Sequence, residues 1–273
     1  MTSRDTRRVL LTGASSGIGL ETARILVSRG FEVWGTSRDL TRLPEFPRFH
    51  RVTMDLGHRD SVRHGFAAAS EDAGGFDLLI NNAGAGAFGG LDTMPAEVVR
   101  EQFQILVDAP LELIRLALPS MRQRGAGTII NVTSLAAQFP IPFMAPYSAA
   151  KSALSVLTAS LRAELFHTPI RVVEVRPGDI NTPFHDRTNR LDTAKNAEEQ
   201  RRMKNVWETQ LRCMAASPRP DRVARVILRA ITTTNPPPVM VVGGIFQARV
   251  ATLGARLLPL RLQEFVLRKY YRL

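Results

Sequence analysis

A glycine-rich turn between an apolar strand and a helix constrains this chain more than any other feature. The apolar run 9–11 stops at Gly13, a helical pattern then runs to about Gly30, and residues 31–36 have the composition of a second strand. Strand, turn, helix and strand make one βαβ unit, in which the strands lie parallel because the helix crosses over between them. The turn therefore predicts an α/β protein built on a parallel sheet.

The same alternation continues over most of the 273 residues. Further strands are predicted at 49–54, 77–80, 128–132, 170–175 and 239–242, and helices at 61–71, 95–124 and 147–166. About seven such strands predict one Rossmann-type doubly wound parallel sheet with helices on both faces. We expect one domain over 1–244, with 181–218 as a lid beyond a strand end and 245–273 as a basic, amphipathic extension.

Cysteine and histidine usage argues against two classes of site. Cys213 is the single cysteine, so no internal disulfide can form, and the five histidines show no metal-ligand spacing. We therefore predict no bound metal. No apolar signal-peptide core precedes the first strand, and no uncharged apolar run reaches roughly 18 residues, so a cytoplasmic location is expected.

The formal net charge of +11 favours anionic partners. A nucleotide cofactor, nucleic acid and an acidic lipid surface all fit that description. The arginines are scattered and form no arginine–aromatic module of the RNA-binding kind, so no specific nucleic-acid partner is predicted.

The turn after the first strand has the composition of a phosphate-binding loop. Gly13 permits the tight turn, Gly17 lets the backbone approach a phosphate, and Gly19 lets the helix pack closely on the strand. The exposed N–H groups and the helix dipole would hold a pyrophosphate, although glycines also occur in purely structural turns. The predicted dinucleotide contacts of the loop are Gly13, Ser15, Ser16, Gly17, Ile18 and Gly19.

Arg38 lies just beyond the second strand, where the adenosine ribose of a dinucleotide would sit. An acidic residue there would bind both ribose hydroxyls, whereas an arginine can pair with a 2′-phosphate, with Ser16 as an added donor. We therefore predict NADP(H) as the cofactor in preference to NAD(H). A solvated surface arginine is the alternative.

Polar and small residues end the third and fourth strands. Asp55, followed by Leu56, could accept a hydrogen bond from the adenine amino group, but Asp is also favoured as a helix N-cap. Small residues at Asn82, Ala83 and Gly84 would let the chain pass close to the cofactor, and an asparagine amide can tie neighbouring strand ends together. All five are predicted to contact the dinucleotide.

Tyr147 and Lys151, with Ser134 thirteen residues before the tyrosine, give the most specific chemical signal. Four residues apart at a helix start, the phenol and the ammonium share one face. A free phenol has a pKa of about 10, and we expect the ammonium to lower the pKa of Tyr147 toward the range useful for proton transfer. Ser134 can hydrogen-bond the reacting oxygen. Chance spacing on a helix is the alternative, and the order of the other motifs argues against it.

These motifs, in this order, resemble the short-chain dehydrogenase/reductase family over about residues 9–243. The resemblance rests on 12–19, 81–84, Ser134, Tyr147, Lys151 and the Pro-Gly pair at 177–178. It implies that Lys151 also binds the nicotinamide ribose and that the chain forms homo-oligomers. It further implies contacts to the nicotinamide end from Pro177, Gly178, Ile180 and Thr182. The small-residue run 82–91 is most similar to hydroxysteroid and retinol dehydrogenases, which points to a lipophilic alcohol or ketone.

One position departs from the family pattern. Members usually carry an asparagine in the helix after the Asn-Ala-Gly strand end, and here that position is Leu106. In the family this asparagine supports a water that connects the lysine to solvent, a part that a leucine side chain cannot take. Asp108 is two residues further on and points to a different side of a regular helix. The relay could be slow, rerouted or lost.

Aromatic residues near the predicted catalytic strand ends favour an apolar substrate. Phe143 and Phe184, with Ser134, are the predicted substrate contacts, and 181–218 would close over them. Each aromatic residue could equally belong to the core. The extension 245–273 could lie on an anionic membrane, but Gly254 and Pro259 interrupt any long helix, so packing on the cleft or on a second subunit is favoured.

The sequence therefore predicts an NADP(H)-dependent oxidoreductase that interconverts a hydroxyl and a carbonyl on a lipophilic molecule of steroid, retinoid or acyl type. Tyr147 is the expected acid/base. The alternative is an NADP(H)-binding sensor or scaffold with weak or no catalysis, motivated by Leu106.

Overall fold

Seven parallel strands form the sheet of the protein, whose computed structural model describes residues 7–244 and 258–273. The strand order is β3-β2-β1-β4-β6-β7-β9. The strands of this sheet are β1 (Arg8–Leu11), β2 (Glu32–Ser37), β3 (Phe49–Thr53), β4 (Leu78–Asn81), β6 (Gly127–Val132), β7 (Ile170–Pro177) and β9 (Val239–Val242). A separate parallel pair joins β5 (Ala87–Phe88) to β8 (Asn189–Arg190). The predicted α/β fold with one doubly wound sheet is confirmed.

Helices cover both faces of the sheet. They are α1 (Gly17–Ser28), α2 (Arg59–Ala73), α3 (Ala96–Phe103), α4 (Ala109–Arg124), α5 (Ala145–Glu164), α6 (Ala197–Ala215), α7 (Asp221–Thr232) and α8 (Leu260–Tyr271). The helix predicted over 95–124 is divided, because a π-helical turn at Gln104–Asp108 separates α3 from α4. The sequence reading did not identify α7.

The core has two parts, one on each face of the sheet. Helices α1 and α7 contact each other on one face, where Leu26 and Ile227 pack with strand residues such as Val33. Helices α2 and α4 contact each other on the other face, where Phe66 and Leu113 belong to the second cluster. Strand side chains are therefore buried on both sides, which explains why the strands appear in the sequence as short apolar runs.

The sheet places all the predicted site loops at one edge. Every strand is parallel to its neighbours, so the carboxyl ends lie together. The chain leaves β1 toward β2 on one side and later returns through β4 on the other, so the strand order reverses beside β1. Ligands of open α/β sheets bind in the crevice at such a switch point.

The described part of the C-terminal extension is helical and packs on the molecule. Helix α8 contacts α6, and the Asn205 amide donates to the carbonyl of Arg272 at 3.1 Å. Residues 245–257 of the extension, which include Gly254, lie outside the described residues. Over the two ranges that the structure describes, none of the helices combines the length and the apolar character that crossing a membrane requires.

Candidate active site

In the glycine loop, backbone segments approach so closely that side chains on Gly13 or Gly19 would not fit between them. Gly13 has φ +70°, and a Cβ placed on it would lie 2.8 Å from the Ala83 Cα. A Cβ on Gly19 would lie 2.1 Å from the Gly13 carbonyl oxygen. Helix α1 begins at Gly17, and no side chain caps its first N–H groups. The cradle and the helix end fit a bound pyrophosphate.

Buried amide groups hold the neighbouring strand ends in place. The Asn82 amide donates to the Thr12 carbonyl at 2.9 Å and so joins the end of β4 to the glycine loop. The Asn81 amide donates to Asn131 of β6 at 2.8 Å, and the Asn131 amide in turn donates to Thr158 of α5 at 2.8 Å. This network connects β1, β4, β6 and α5 beneath the cleft.

Three arginines lie close together in the part of the cleft beside the glycine loop. Arg38, Arg42 and Arg187 all line it, and an Arg187 N–H donates to the Ser16 hydroxyl. Burial lowers the pKa of Arg187, and the charges of Arg42 and Arg38 lower it further while Asp186 opposes them. Sequence reasoning identified Arg38 and Ser16 but missed Arg42 and Arg187. Nothing in the sequence connects Arg187 with a residue 171 positions away.

Asp55 and Leu56 also line the cleft, at the end of β3. The Asp55 carboxylate accepts the Gly57 N–H at 2.9 Å and so closes the turn that leads into α2. The N-cap of α2 is His58, without a side-chain hydrogen bond. The alternative interpretation of Asp55 as a helix N-cap is therefore wrong.

Ser134, Tyr147 and Lys151 meet on the cleft wall. A hydrogen bond connects the Ser134 hydroxyl with the Tyr147 phenol, and the Lys151 ammonium nitrogen lies 6.0 Å from the centre of the tyrosine ring. The ammonium donates to the carbonyl of Val132 at 2.9 Å. Tyr147 and Lys151 are 8% and 4% exposed, so both polar groups act in a poorly hydrated environment.

Burial dominates the proton affinities of this group. It raises the pKa of Tyr147 to about 12, with the Ser134 hydrogen bond opposing the rise and the charge of Asp179 adding to it. It lowers the pKa of Lys151 to about 8. The expectation that the lysine would lower the pKa of Tyr147 is wrong for this structure, because the removal of the phenol from water dominates and only the Ser134 hydrogen bond opposes it.

Leu106 lies inside the π-helical turn and is 1% exposed. Its side chain belongs to the same apolar cluster as Tyr147 and Met144. A Cβ on Gly84 would lie 4.0 Å from a Leu106 methyl carbon, so the leucine lies below the Asn-Ala-Gly strand end. Asp108 is exposed, as its position two residues further on predicts. The position that the sequence comparison with the family assigns to an asparagine is therefore occupied by a buried leucine side chain.

The loop after β7 brings a second set of predicted residues to the cleft. Phe184 packs on Tyr147, with 5.5 Å between the ring centres, and Thr182 reaches the glycine loop, where a Cβ on Gly17 would lie 3.3 Å from it. All the predicted contacts of this loop line the cleft: Pro177, Gly178, Ile180, Thr182 and Phe184.

Phe143 is the one predicted site residue that the structure does not bring to the cleft. It has φ +62°, its ring packs on Phe88 with 5.8 Å between centres, and its carbonyl accepts the Gly89 N–H at 2.8 Å. The left-handed backbone at this residue therefore goes with a ring that packs on Phe88 and does not line the cleft. Its neighbours Ile141 and Met144 line the cleft instead.

The far end of the cleft is closed by groups that sequence reasoning missed. His185 is buried and its Nε2 lies 2.7 Å from the Gln210 carbonyl oxygen. Burial lowers the pKa of His185, whereas the hydrogen bond with Gln210 and the charges of Asp179 and Asp186 oppose this decrease. Tyr271 of α8 is buried against the same space, and burial raises the pKa of its phenol. No local motif marks these residues, because tertiary packing alone joins their segments.

The glycine loop, the three arginines and the group of Ser134, Tyr147 and Lys151 line one continuous cleft of about 780 Å³. Apolar side chains also line it: Phe139, Ile141, Met144, Phe184, Met214, Leu258, Val266 and Leu267. No group of three or more His, Cys, Asp or Glu side chains that could hold a metal occurs among residues 7–244 and 258–273.

Comparison with known proteins agrees with this geometry. Residues 7–192 match the family model described as short chain dehydrogenase. A 3-ketodihydrosphingosine reductase of Bacteroides thetaiotaomicron is 31% identical over 267 residues, which are 96% of this chain and 97% of that protein.

Solved structures show the same fold. A short-chain dehydrogenase from Streptomyces avermitilis superposes with a TM-score of 0.83 and 26% identity, covering 98% of this chain and 99% of that one. A metagenomic short-chain oxidoreductase in complex with NADP has a TM-score of 0.68 and 29% identity, covering 86% of this chain and 96% of the other.

Proposed function

The chain belongs to the short-chain dehydrogenase family, and from that premise we propose that it is an NADP(H)-dependent oxidoreductase acting on a lipophilic ketone or alcohol. The observation that carries the proposal is the meeting of Ser134, Tyr147 and Lys151 in the same cleft as the glycine loop. A protein that only binds a dinucleotide could use Lys151 on the ribose, but it would not need the hydrogen-bonded pair of Ser134 and Tyr147 beside it.

Tyr147 is the proposed proton donor in the direction of reduction. Because burial raises the pKa of its phenol to about 12, the proton is present at neutral pH. Ser134, bonded to that phenol, is placed to hydrogen-bond the substrate oxygen as well. When bound, the nicotinamide would supply a hydride to the carbonyl carbon in reduction, or accept one from the hydroxyl-bearing carbon in oxidation. Tyr147 gives its proton to the oxygen, which becomes a hydroxyl.

Lys151 is proposed to stabilise the phenolate that remains after this transfer. Its pKa of about 8 leaves the ammonium mostly charged at neutral pH. An ammonium beside a buried phenolate lowers the free energy of the charge-separated state, because little water screens the pair. The same nitrogen already donates to the Val132 carbonyl, which keeps it on the cleft floor, and we carry the family's nicotinamide-ribose contact onto it.

The three arginines support NADP(H) in preference to NAD(H). Arg38, Arg42 and Arg187 line one end of the cleft beside Ser16, where a 2′-phosphate would offset their mutual repulsion. NAD(H) has no charge at that position and would leave the repulsion in place. Similar proteins have been solved with NADP and with NAD, so this preference rests on the arginines alone.

The apolar walls of the cleft support a lipophilic substrate. Phe184 covers Tyr147 and Met144 lies nearby, so an apolar chain next to the reacting carbon would be sheltered from water. The relative that matches over nearly the whole chain is named for a keto group on dihydrosphingosine. Of the steroid, retinoid and acyl substrates that the sequence leaves open, we therefore favour the acyl type.

The test is NADPH oxidation by the purified protein with ketones of long-chain acyl, steroid and retinoid type. Tyr147→Phe should lower kcat about 1000-fold while NADPH affinity stays within about threefold, because only the proton donor is removed. Tyr270→Phe is the matched control, since it removes a phenol that also borders the cleft but is hydrogen-bonded to Cys213 rather than to Ser134, and its turnover should stay near that of the native protein. Turnover that survives in Tyr147→Phe would contradict the proposal.

The buried Leu106 favours a second candidate, an NADP(H)-binding sensor or scaffold with weak or no catalysis. In that case NADPH binds, no ketone in the panel turns over, and Tyr147→Phe behaves like the native chain. Rapid mixing of the NADPH complex with substrate separates the two candidates. A single turnover followed by slow cycling indicates an enzyme with a weak proton relay, whereas no turnover indicates the sensor.

A further inference from the structure

The C-terminal helix α8 has two faces with different surroundings. Its inner face closes the cleft, where Tyr271 is buried and Leu267 is half-buried. The Tyr270 hydroxyl lies 2.9 Å from the Cys213 sulfur of α6, and the Asn205 amide binds the carbonyl of Arg272. The helix is therefore held on the body of the protein, and its other face has a defined orientation.

The C-terminal segment 258–273 carries an unusual concentration of exposed apolar side chains. Seven of the thirteen large apolar residues that are exposed among the described residues fall within it: Leu258, Leu260, Leu262, Phe265, Val266, Tyr270 and Leu273. Leu258, Val266 and Tyr270 also border the cleft, whereas Leu260, Leu262, Phe265 and Leu273 do not line it and make up the outer face. Single exposed apolar residues are common on soluble proteins, but a contiguous group of this kind marks a surface that binds something apolar.

Cations flank this apolar surface. Arg261, Arg268, Lys269 and Arg272 lie on α8 or beside its end, against a single acidic residue, Glu264. The Lys269 ammonium lies 5.8 Å from the centre of the Phe265 ring. A helix that combines exposed apolar residues with a cationic border is suited to the boundary between the headgroups and the acyl chains of an anionic bilayer.

We propose that the outer face of α8 docks the protein on an anionic lipid bilayer. A second copy of the chain fits less well, because a two-fold contact through this face would place the same cationic surface on both sides of the interface, and like charges facing each other are unfavourable. Lipid phosphates offer both the opposite charge and an apolar layer beneath it.

Docking at this surface would provide a route for a lipophilic substrate into the cleft, an inference that rests on the proposed function. Leu258, Val266 and Leu267 belong to the cleft wall, so the docking face and the apolar wall of the cleft share one helix. A lipophilic substrate could pass from the bilayer into the cleft along α8 without crossing water. The docking itself does not depend on catalysis.

The test is flotation of the full-length protein with phosphatidylcholine vesicles, with and without phosphatidylglycerol. The native chain should float with the anionic vesicles. Leu262→Ser combined with Phe265→Ser should weaken that binding about tenfold or more, because two apolar side chains no longer enter the interface while the charge is unchanged. Neither residue lines the cleft, so turnover of a water-soluble ketone should not change.

The matched control is Val156→Ser combined with Phe166→Ser, which removes two apolar side chains that are even more exposed, in and just beyond α5. This variant should float as the native protein does. Equal flotation of both double variants would overturn the proposal, since the net charge of +11 alone would then explain the binding. So would the absence of flotation, or a dimer in solution that only the α8 variant dissociates.

Failure of the docking and failure of the proposed function give different results. Flotation is scored without substrate and without NADPH, so an inactive protein can still bind vesicles. Thermal unfolding of both double variants shows whether α8 remains packed, because loss of its inner contacts would lower Tm only in the α8 variant. A variant that stays folded and still floats counts against the docking.

Discussion

The glycine loop and the lid segment 181–218 border the same cleft, yet they are held in different ways. The loop is positioned by backbone contacts, with the Gly19 Cα directly beside the Gly13 carbonyl and the Asn82 amide bonded to the Thr12 carbonyl. The lid has one short backbone pairing, β8 with β5, and otherwise depends on side chains. His185 binds Gln210 within the lid, while Arg187 binds Ser16 and the Thr193 hydroxyl accepts the Gly90 N–H from segments distant in the sequence.

This difference teaches where the molecule tolerates change. A backbone cradle has no room for an added carbon, so its sequence is closely constrained. A side-chain contact can be replaced by another of similar shape or charge, so the lid can change its specificity without loss of the fold. We expect substitutions in the loop to damage both stability and cofactor binding, and substitutions in the lid to affect selected ligands.

The largest effect is expected from Gly13→Ala, which tests the backbone packing of the glycine loop. The new Cβ would meet the Ala83 backbone at 2.8 Å, so the loop must move, and both stability and NADPH affinity should fall. We expect a loss of about 3 kcal/mol in the free energy of unfolding and of roughly 100-fold in affinity. Urea unfolding and fluorescence titration with NADPH measure the two.

Gly125→Ala is the matched control for backbone strain. Gly125 has φ +63°, close to that of Gly13, but a Cβ there would meet nothing within 4 Å. It should lose only about 1 kcal/mol and keep its NADPH affinity. Equal losses in the two variants would mean that strain, and not contact with Ala83, determines the loop.

The next effect is a pH dependence of ketone reduction, which tests the roles proposed for Lys151 and Tyr147 between the glycine loop and the lid. Lys151 loses its charge as pH rises through about 8, whereas Tyr147 keeps its proton to about 12. Ketone reduction at saturating NADPH should therefore be constant below pH 8 and fall about tenfold per pH unit above it. Stopped-flow absorbance at the nicotinamide band follows the rate.

Lys151→Arg supplies the comparison for this profile, because a guanidinium stays charged throughout the range. Its residual rate should show no fall near pH 8. A native rate that remains flat well above pH 8, or that rises there, would show that the ammonium is not needed for reduction.

A smaller effect is expected from Arg187→Ala, which removes a side chain joining the lid to the glycine loop. Loss of one charged donor to a 2′-phosphate should weaken NADPH binding about tenfold and leave NADH binding unchanged. Isothermal titration with each nucleotide measures this. Arg225→Ala is the control, since Arg225 pairs with Asp221 on the exposed side of α7. Equal loss for both nucleotides would assign Arg187 to the loop's structure instead.

The smallest effect is expected from Phe184→Leu, which tests the side-chain contacts of the lid. Phe184 covers Tyr147, so a shorter side chain should raise KM for a lipophilic ketone about fivefold and leave NADPH affinity within a factor of about two. Steady-state kinetics with one long-chain and one short-chain ketone measure the change. A rise in KM that is the same for both ketones would show that Phe184 orders the site and does not recognise the chain.

The sequence by itself determined the sheet and most of the cleft floor. Short apolar runs predict buried parallel strands, and parallel strands bring their carboxyl ends together, so residues such as Gly13, Asn82 and Ser134 were expected at one edge. All the predicted cofactor contacts line the cleft. These features follow from local pattern and chain order, which are visible without coordinates.

Only the tertiary structure decided the side-chain contacts between remote segments. The pairing of Arg187 with Ser16 spans 171 positions, and Tyr271 reaches the cleft because α8 packs on α6. The left-handed backbone at Phe143 turned a predicted substrate contact toward Phe88. The proton affinity of Tyr147 also reversed its expected direction, because burial depends on every element packed around the phenol and not on its spacing from Lys151.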